Sequence, residues 1–360
     1  MKIGLIGMAK SGKTTVFNAL TGLWAATDQY ESARMEPNVA FVRVSDSRVD
    51  RLAELYRPRK VTHALVEFVD FCGFSGRRPE RKSLFSASDL ALARGVHALA
   101  LVARNFHETY LDSTLGPPDA ASDVENVKTE LALNDLVLAE TRLERIDHQL
   151  KRGAKTPSLA IERSALEKVV AFLEGEARQN MPELTGEEEK SIRGMQFLSL
   201  KPMLVILNSD ETTFAADPGL VDALGRANRV VEFAGKFEME LSRLDPKDAA
   251  ALMEDMGIAS SARERLTLAA YGLLGYISFF TVGSDEVRAW TIRKGSTAQE
   301  AASSIHTDLS RGFIRAECFS YDDLTAHGSE KALREKGLIR LEGKNYVVND
   351  GDILSIRSGV

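Results

Sequence analysis

Four residues near the start of the chain have the types and spacing of a phosphate-binding loop. Gly7, Gly12, Lys13 and Thr14 fill the pattern G-x-x-x-x-G-K-[ST], which reads GMAKSGKT here. In such a loop, consecutive backbone N–H groups point inward at phosphate oxygens, and the following helix adds partial positive charge. Lys13 would reach the β- and γ-phosphates, and the Thr14 hydroxyl would bind Mg²⁺. The predicted nucleotide contacts in this loop also include Lys10, Ser11 and Thr15.

A strand and a helix must position this loop. Residues 2–6, KIGLI, are a short apolar run typical of a buried strand, and residues 16–20, VFNAL, follow the loop at helical spacing. The alternative is a glycine turn before an ordinary helix. The order of strand, loop and helix favours phosphate binding, because it aims the helix N-terminus at the loop.

A second motif places an acid at the end of a later strand. Residues 39–44 and 65–69 are apolar strand candidates, and the second of them leads into Asp70 within DFCGF. Asp70 and Gly73 have the D-x-x-G spacing, in which the carboxylate holds Mg²⁺ through water and the glycine N–H approaches the γ-phosphate. Alone, D-x-x-G usually marks a turn. Its position downstream of a phosphate loop favours the metal site, with Thr14 and Asp70 as the predicted Mg²⁺ residues.

The segment predicted to recognise the base follows the strand MLVILN. Ras-like domains place N-K-x-D there, and the fourth-position aspartate pairs with guanine. This chain has Asn208, Ser209, Asp210 and Glu211, so the clamp residue is one methylene longer and the stem-packing lysine is absent. The residues predicted to frame the base from a later loop are Ala234, Gly235 and Lys236. The pattern favours adenine slightly, and Asp210 and Glu211 do not exclude a GTPase.

Composition narrows the class of protein. The chain has 360 residues, a net charge of −6 and two cysteines, Cys72 and Cys318. We therefore expect neither a disulfide framework nor a zinc site, and no non-specific nucleic-acid binding by the whole surface. No apolar run approaches the roughly 18 residues of a membrane span, and no signal peptide is evident. We expect a cytoplasmic protein that does not enter a membrane.

A long amphipathic stretch interrupts the nucleotide-binding pattern. From Val124 to Lys151, apolar residues recur every three or four positions, and a second helix returns through residues 166–173. This predicts an antiparallel helical hairpin inserted in an α/β domain. Towards the C-terminus, the patterns predict strands at 287–292, 314–319 and 346–348, with a helix at 297–310. In that helix we expect His306 to be structural.

These features resemble the YchF/Obg-like ATPases, which are translation-factor-class phosphate-loop proteins. The likeness spans nearly the whole chain and includes MEPNVAFVRVSDSRVDRLAEL, TELALNDLVLAETRLERI and the N-x-x-E motif at Asn208 and Glu211. It is densest from Tyr271 onward, where the chain resembles a TGS domain, a small β-grasp module.

The resemblance implies a fold of the α/β class: a Ras-like P-loop nucleotide-binding domain with an inserted α-helical hairpin and a C-terminal α+β β-grasp (TGS) domain. The predicted boundaries are 1–120 and 197–280 for the nucleotide-binding domain, 121–196 for the insert and 281–360 for the TGS domain. It also implies ATP in preference to GTP, Mg²⁺, slow hydrolysis and association with ribosomes or RNA. An ATP-sensing module with negligible hydrolysis and a GTPase are the alternatives.

This chain departs from the family pattern in its switch and loop residues. Lys10 stands where the family has an asparagine that helps hold K⁺, so its ammonium either replaces that ion or points to solvent or an acid. Arg34 replaces a switch threonine and is either an internal arginine finger or a surface residue. Phe74 fits the apolar residue that the family has in place of a water-orienting glutamine. The candidate catalytic residues are therefore Lys13, Lys10 and Arg34.

Overall fold

The computed structural model describes residues 1–22, 37–71, 84–153, 156–175, 181–255 and 257–359. These residues form two compact units. The larger unit comprises residues 2–40 and 68–262, and the C-terminal unit comprises Met1 with residues 41–67 and 263–360. Residues 41–67 belong to the C-terminal unit, whereas the predicted boundaries placed them in the nucleotide-binding domain at 1–120.

The described residues form the following strands and helices. The strands are β1 (Lys2–Ile6), β2 (Asn38–Arg43), β3 (Lys60–Thr62), β4 (Leu65–Asp70), β5 (Ala98–Asn105), β6 (Met203–Ser209), β7 (Arg229–Phe233), β8 (Tyr276–Thr281), β9 (Glu286–Arg293), β10 (Phe313–Ser320), β11 (Arg340–Glu342) and β12 (Asp352–Ser358). The helices are α1 (Lys13–Thr21), α2 (Ser47–Tyr56), α3 (Ala87–Arg94), α4 (Thr109–Leu115), α5 (Ala120–Lys151), α6 (Pro157–Glu174), α7 (Gly186–Ile192), α8 (Pro218–Gly225), α9 (Gly235–Leu241), α10 (Pro246–Asp255), α11 (Ala262–Leu273), α12 (Ala298–Ile305), α13 (Thr307–Arg311), α14 (Tyr321–His327) and α15 (Glu330–Glu335). A 3₁₀ turn spans Arg193–Met195. Within the described ranges, no helix combines the length and apolar character needed to cross a bilayer.

The first sheet has the strand order β2-β4-β1-β5-β6-β7. β1 pairs with β5, β5 with β6 and β6 with β7, all in parallel. The side chains of β5 are almost all buried, which explains the continuous apolar run at 98–103, ALALVA. Because these strands are parallel, their carboxyl ends share one edge of the sheet, and the register there sets Asn208 beside Phe233. The loop after β1 therefore meets the end of β6.

The inserted helices have a core of their own. α5 and α6 pack through small and aliphatic side chains, among them Ala139, Ile146, Leu166 and Val169. α5 begins at Ala120, four residues before the predicted start, because Asp119 caps it by accepting a hydrogen bond from Ser122 N at 3.0 Å.

The second sheet, which lies in the C-terminal unit, has the order β11-β10-β12-β8-β9-β3. One prediction here was wrong: residues 346–348 do not form a strand, and Val347 makes only an isolated bridge to Thr297. The predicted helix at 297–310 is also divided into α12 and α13. His306 separates them with an extended backbone, and its Nδ1 accepts a hydrogen bond from Asp308 N at 3.2 Å. His306 is thus a structural cap, as expected.

Residues 41–67 are held in the C-terminal unit by polar contacts as well as by β3, which pairs in parallel with β9. Arg48 on α2 donates to Asp46 over 2.9 Å and to Asp350 over 2.8 Å. Its guanidinium also lies 5.1 Å from the centre of the Phe280 ring. One planar cation thus ties the start of α2 to the second sheet.

Candidate functional site

Two glycines let the loop after β1 pack against its own sheet. Gly7 has φ of 151° and Gly12 has φ of 92°, values that other residues rarely adopt. A Cβ on Gly7 would overlap the carbonyl oxygen of Val102, and one on Gly12 would overlap the Asn208 side-chain amide. Glycine is therefore required at both positions of the motif.

Asn208 supports this loop from the end of β6. It is 2% exposed, and its Nδ2 donates a hydrogen bond to the backbone oxygen of Ser11 over 2.8 Å. Gly235 makes room for the amide, because a Cβ there would lie 2.7 Å from the Asn208 Oδ1. The residue predicted to contact the base thus also braces the phosphate loop, which the sequence analysis did not anticipate.

Lys13 begins α1, and its side chain folds back along the loop. Its Nζ donates to the carbonyl oxygens of Gly7 at 3.1 Å and Met8 at 3.0 Å. Burial lowers the pKa of Lys13 to about 8, and the carboxylates of Asp70 and Asp89 oppose this change. An added anion would reduce the cost of burying this ammonium, so the group is suited to hold phosphate.

Thr14 and Asp70 meet beside Lys13. The Thr14 hydroxyl donates to Asp70 Oδ2 over 3.1 Å, and Asp70 is 2% exposed. Burial raises the pKa of Asp70, while the Lys13 ammonium and hydrogen bonds from Thr14 and Asn38 oppose the rise. A hydroxyl and a buried carboxylate are hard oxygen donors of the kind that Mg²⁺ prefers. The residues present therefore fit the predicted ion.

The turn after β6 already uses the Asp210 carboxylate. Asp210 accepts hydrogen bonds from the backbone N–H groups of Thr212 and Thr213, both at 2.9 Å, and of His107 at 3.0 Å. Burial opposes its ionisation, but the Thr212 hydroxyl and these amides hold the pKa of Asp210 well below its usual range. Asp210 is therefore committed to shaping the turn, while Glu211 beside it is exposed.

The other predicted contact residues differ in exposure. Lys10 is exposed and has φ of 59°, in the left-handed region. Ser11 is buried, Thr15 is half-buried in the first turn of α1, and the residues around the start of α9 are buried at Ala234 and Gly235 and exposed at Lys236. Their contacts with a nucleotide stay predictions.

Several predictions fall outside the described residues. They concern Arg34, Cys72, Gly73 and Phe74. Arg34 as a catalytic residue and Gly73 as a phosphate contact therefore stay predictions.

Sequence analysis missed Asp89, which is 6% exposed on α3. Its Oδ2 accepts a hydrogen bond from Ser86 N at 3.1 Å and its N–H donates to Ser86 Oγ at 3.2 Å, forming a capping box, and Ser86 Oγ also donates to Asp89 Oδ2 at 2.5 Å. Its charge also favours the Lys13 ammonium. The S-x-x-D pattern at 86–89 indicates the cap, but nothing in the sequence indicates the proximity to Lys13.

Two residues near the loop after β5 have local partners. His107 Nδ1 lies 2.8 Å from Asp112 Oδ2, and the Ser113 hydroxyl donates to Tyr110 O over 2.8 Å. These contacts stabilise the loop and α4, and they assign no catalytic role to either residue.

A glycine-rich loop between a buried parallel strand and a helix, with Lys-Thr at its end and a buried aspartate facing it, defines an α/β phosphate-loop nucleotide-binding protein. The family model YchF-GTPase_C, described as a protein of unknown function (DUF933), matches residues 276–358. The ribosome-binding ATPase YchF of Haemophilus ducreyi is 36% identical, over 100% of this chain and 99% of the relative. The Bacillus subtilis protein of the same name is 35% identical, over 99% of each chain. The chain therefore belongs to the YchF family.

A solved structure supports the same assignment. The Schizosaccharomyces pombe YchF GTPase matches with a TM-score of 0.84 and 29% identity, covering 99% of this chain and 97% of that one. The two bacterial relatives are named ATPases and the S. pombe protein a GTPase. Because the names of these relatives differ, the choice between adenine and guanine rests on the residues of this chain.

Proposed function

We propose that this protein is a Mg²⁺-dependent ATP-binding protein and slow ATPase that acts as a nucleotide-driven switch on the ribosome. The observation that carries the proposal is the position of the Lys13 ammonium, which donates hydrogen bonds to the carbonyls of Gly7 and Met8 in the loop. The relatives named ribosome-binding ATPases, at 36% and 35% identity over nearly their whole length, support the ribosome as partner.

Lys13, Thr14 and Asp70 divide the work at the triphosphate. Thr14 would bind Mg²⁺ directly and Asp70 through water, and the bound ion would neutralise charge on the β- and γ-phosphate oxygens. Lys13 would bind the same oxygens. The backbone N–H groups of the loop, braced by Asn208, would keep the γ-phosphate oriented for attack by water.

The preference for ATP rests on the turn after β6. A guanine clamp requires a short carboxylate that can face the base, and here the fourth position is Glu211. Asp210 cannot substitute for it, because its oxygens are engaged by the backbone of Thr212, Thr213 and His107. GTP is the second candidate, since the S. pombe relative is named a GTPase.

Slow hydrolysis is expected because the nearby carboxylates are occupied by hydrogen bonds. The carboxylates that act on Lys13 within the described residues belong to Asp70 and Asp89. The Asp70 carboxylate accepts a hydrogen bond from Thr14, and the Asp89 carboxylate accepts one from Ser86, so neither carboxylate is placed to activate water. This arrangement also favours the alternative function, an ATP-sensing module with negligible turnover.

A titration of the full-length protein tests the nucleotide assignment. Calorimetry with ATP and GTP, each with and without Mg²⁺, should show tighter binding of ATP and a gain from Mg²⁺ that Asp70→Asn removes. Lys13→Ala should abolish binding, whereas Lys190→Ala, which changes an exposed lysine on α7, should not. No binding heat with either nucleotide at millimolar concentration would contradict the proposal.

Single-turnover hydrolysis with and without purified bacterial ribosomes separates the ATPase from the sensor. We expect measurable cleavage of bound ATP, and co-sedimentation with ribosomes that changes with the nucleotide. Nucleotide-dependent co-sedimentation without cleavage would instead identify the sensor. Binding that is the same with ATP, ADP and no nucleotide would argue against a switch.

A further inference from the structure

An open groove lies between α3 and α5 in the larger unit. It has a volume of about 620 Å³, and Gly194 and Met195 of the 3₁₀ turn also line it. Its floor and walls are mostly aliphatic and include Leu90 and Leu138. Val137, which also lines it, is 63% exposed, so the groove leaves a large apolar side chain in water.

Both walls present helical stripes to the same space. α3 contributes positions 87, 90, 91 and 94, and α5 contributes positions 134, 137, 138, 141, 142 and 145. These are spacings of three and four residues, and the α5 stripe is about 17 Å long at about 1.5 Å per residue. Ala87 and Ala91 also keep the α3 wall low enough for another backbone to approach. Two helical stripes that line an unfilled gap form a surface on which a third helix can pack.

The charges along the groove indicate which charge a helix bound there would carry. Its ionisable lining residues within the described chain are all arginines: Arg94, Arg142 and Arg145. Arg94 is paired with the buried Asp135 at 2.9 Å, and Arg142 donates to both oxygens of Glu162 at 2.6 and 2.8 Å. Arg145 is exposed at the end of the stripe. The groove therefore offers net positive charge from Arg145 beside an apolar floor.

We propose that this groove binds an acidic amphipathic α-helix of a protein partner. Leucine-type side chains of the helix would cover Val137 and Leu138, and a carboxylate would pair with Arg145. The groove lies wholly on α3, α5 and the 3₁₀ turn, so the proposal does not depend on which nucleotide the protein binds.

Fluorescence anisotropy of the full-length chain with a synthetic peptide tests this directly. The peptide has about 15 residues, leucines at helical spacing of three and four, and glutamates on the other face. One control peptide has the same composition with the leucines shuffled, and another has lysine in place of glutamate. We expect saturable binding of the first peptide, and affinities at least about tenfold weaker for both controls.

Matched variants locate the binding. Val137→Glu should weaken binding at least about tenfold, because it places a charge on the apolar floor. Leu133→Glu, one turn away on α5 and 51% exposed but outside the groove, should leave it unchanged. Arg145→Glu should weaken binding and reduce its salt dependence, whereas Lys151→Glu at the end of the same helix should change it less. All four positions are accessible to solvent, and melting temperatures verify that the variants fold.

Three results would overturn the proposal. The first is a failure of the acidic peptide to bind, or equal binding to the wild type and Val137→Glu. The second is competitive binding of a 12-nucleotide RNA that Arg145→Glu abolishes, which would assign the groove to nucleic acid. The third is a concentration-dependent dimer in sedimentation that Val137→Glu dissociates, which would assign it to a second copy of this chain.

Discussion

Raising the pH from about 7 to about 9.5 is expected to weaken nucleotide binding through one group, the Lys13 ammonium. Burial lowers the pKa of Lys13 to about 8. A triphosphate placed against it adds several negative charges, which raise this pKa above the whole interval. The nucleotide-bound chain then holds more protons than the free chain, so affinity falls as the pH rises.

The size of the effect follows from that pKa. With a pKa of about 8 in the free chain, the protonated fraction of Lys13 is about one tenth at about pH 9. The dissociation constant therefore rises about tenfold at that pH, or about 1.4 kcal/mol, and about thirtyfold at about pH 9.5. The terminal phosphate of the nucleotide, with a pKa near 6 as in other phosphate esters, is already ionised and contributes little.

Isothermal titration calorimetry in buffers of different ionisation enthalpy measures the protons taken up directly. We expect about 0.1 proton at about pH 7, about 0.5 at about pH 8 and about 0.9 at about pH 9. Asp89→Asn keeps an oxygen acceptor for Ser86 but removes a charge that favours the Lys13 ammonium, so it should shift this profile to lower pH. Lys190→Ala should not shift it. A proton number near zero at every pH in the wild type would show that Lys13 takes up no proton when the nucleotide binds.

Three further changes have defined outcomes. Gly12→Ala should abolish nucleotide binding and lower the melting temperature, because Gly12 has φ of 92° and an added Cβ would overlap the Asn208 amide that braces the loop. Gly194→Ala is the control, since nothing lies within 4 Å of a Cβ at that position, and it should change neither property. Arg48→Ala should lower the free energy of unfolding, measured in urea, by about 2 kcal/mol through loss of its charged hydrogen bonds. Arg48→Lys should restore only part of that free energy, because lysine cannot reproduce the forked contacts of arginine. An unchanged urea midpoint in Arg48→Ala would contradict this prediction. If the Lys10 ammonium replaces a monovalent cation, ATPase rates should match in KCl and NaCl at equal ionic strength, and clear stimulation by potassium would reject that role.

Local patterns located most of the elements around the site. The runs KIGLI, LVEFV and MLVILN lie in β1, β4 and β6, because strands buried on both faces are nearly continuous apolar segments. Short strands could not be predicted from apolar runs. β3 has three residues and its position beside β9 depends on pairing with residues more than two hundred positions away. The predicted strand at 346–348 was wrong for the same reason, since its residues find no ladder partner and Val347 makes only a bridge.

Part of the candidate site could likewise be predicted from the sequence and part could not. The motif residues and their order were evident from the sequence, but their supports were not. The bond from Asn208 to the loop joins residues 197 positions apart, and the influence of Asp89 on Lys13 depends on where α3 packs. Asp210 shapes its turn through local bonds from Thr212 and Thr213, but the further hydrogen bond from His107 depends on how the distant loop after β5 packs.

The sequence was sufficient to predict a phosphate-binding loop at residues 7–14, because conformational freedom at glycine and the charge of lysine are local properties of those residues. The lowered pKa of Lys13, the hydrogen bond from Asn208 to the loop, and the groove between α3 and α5 arise only when the chain is folded. Burial and long-range hydrogen bonding depend on which distant segments come together, and that is a property of the packed chain as a whole.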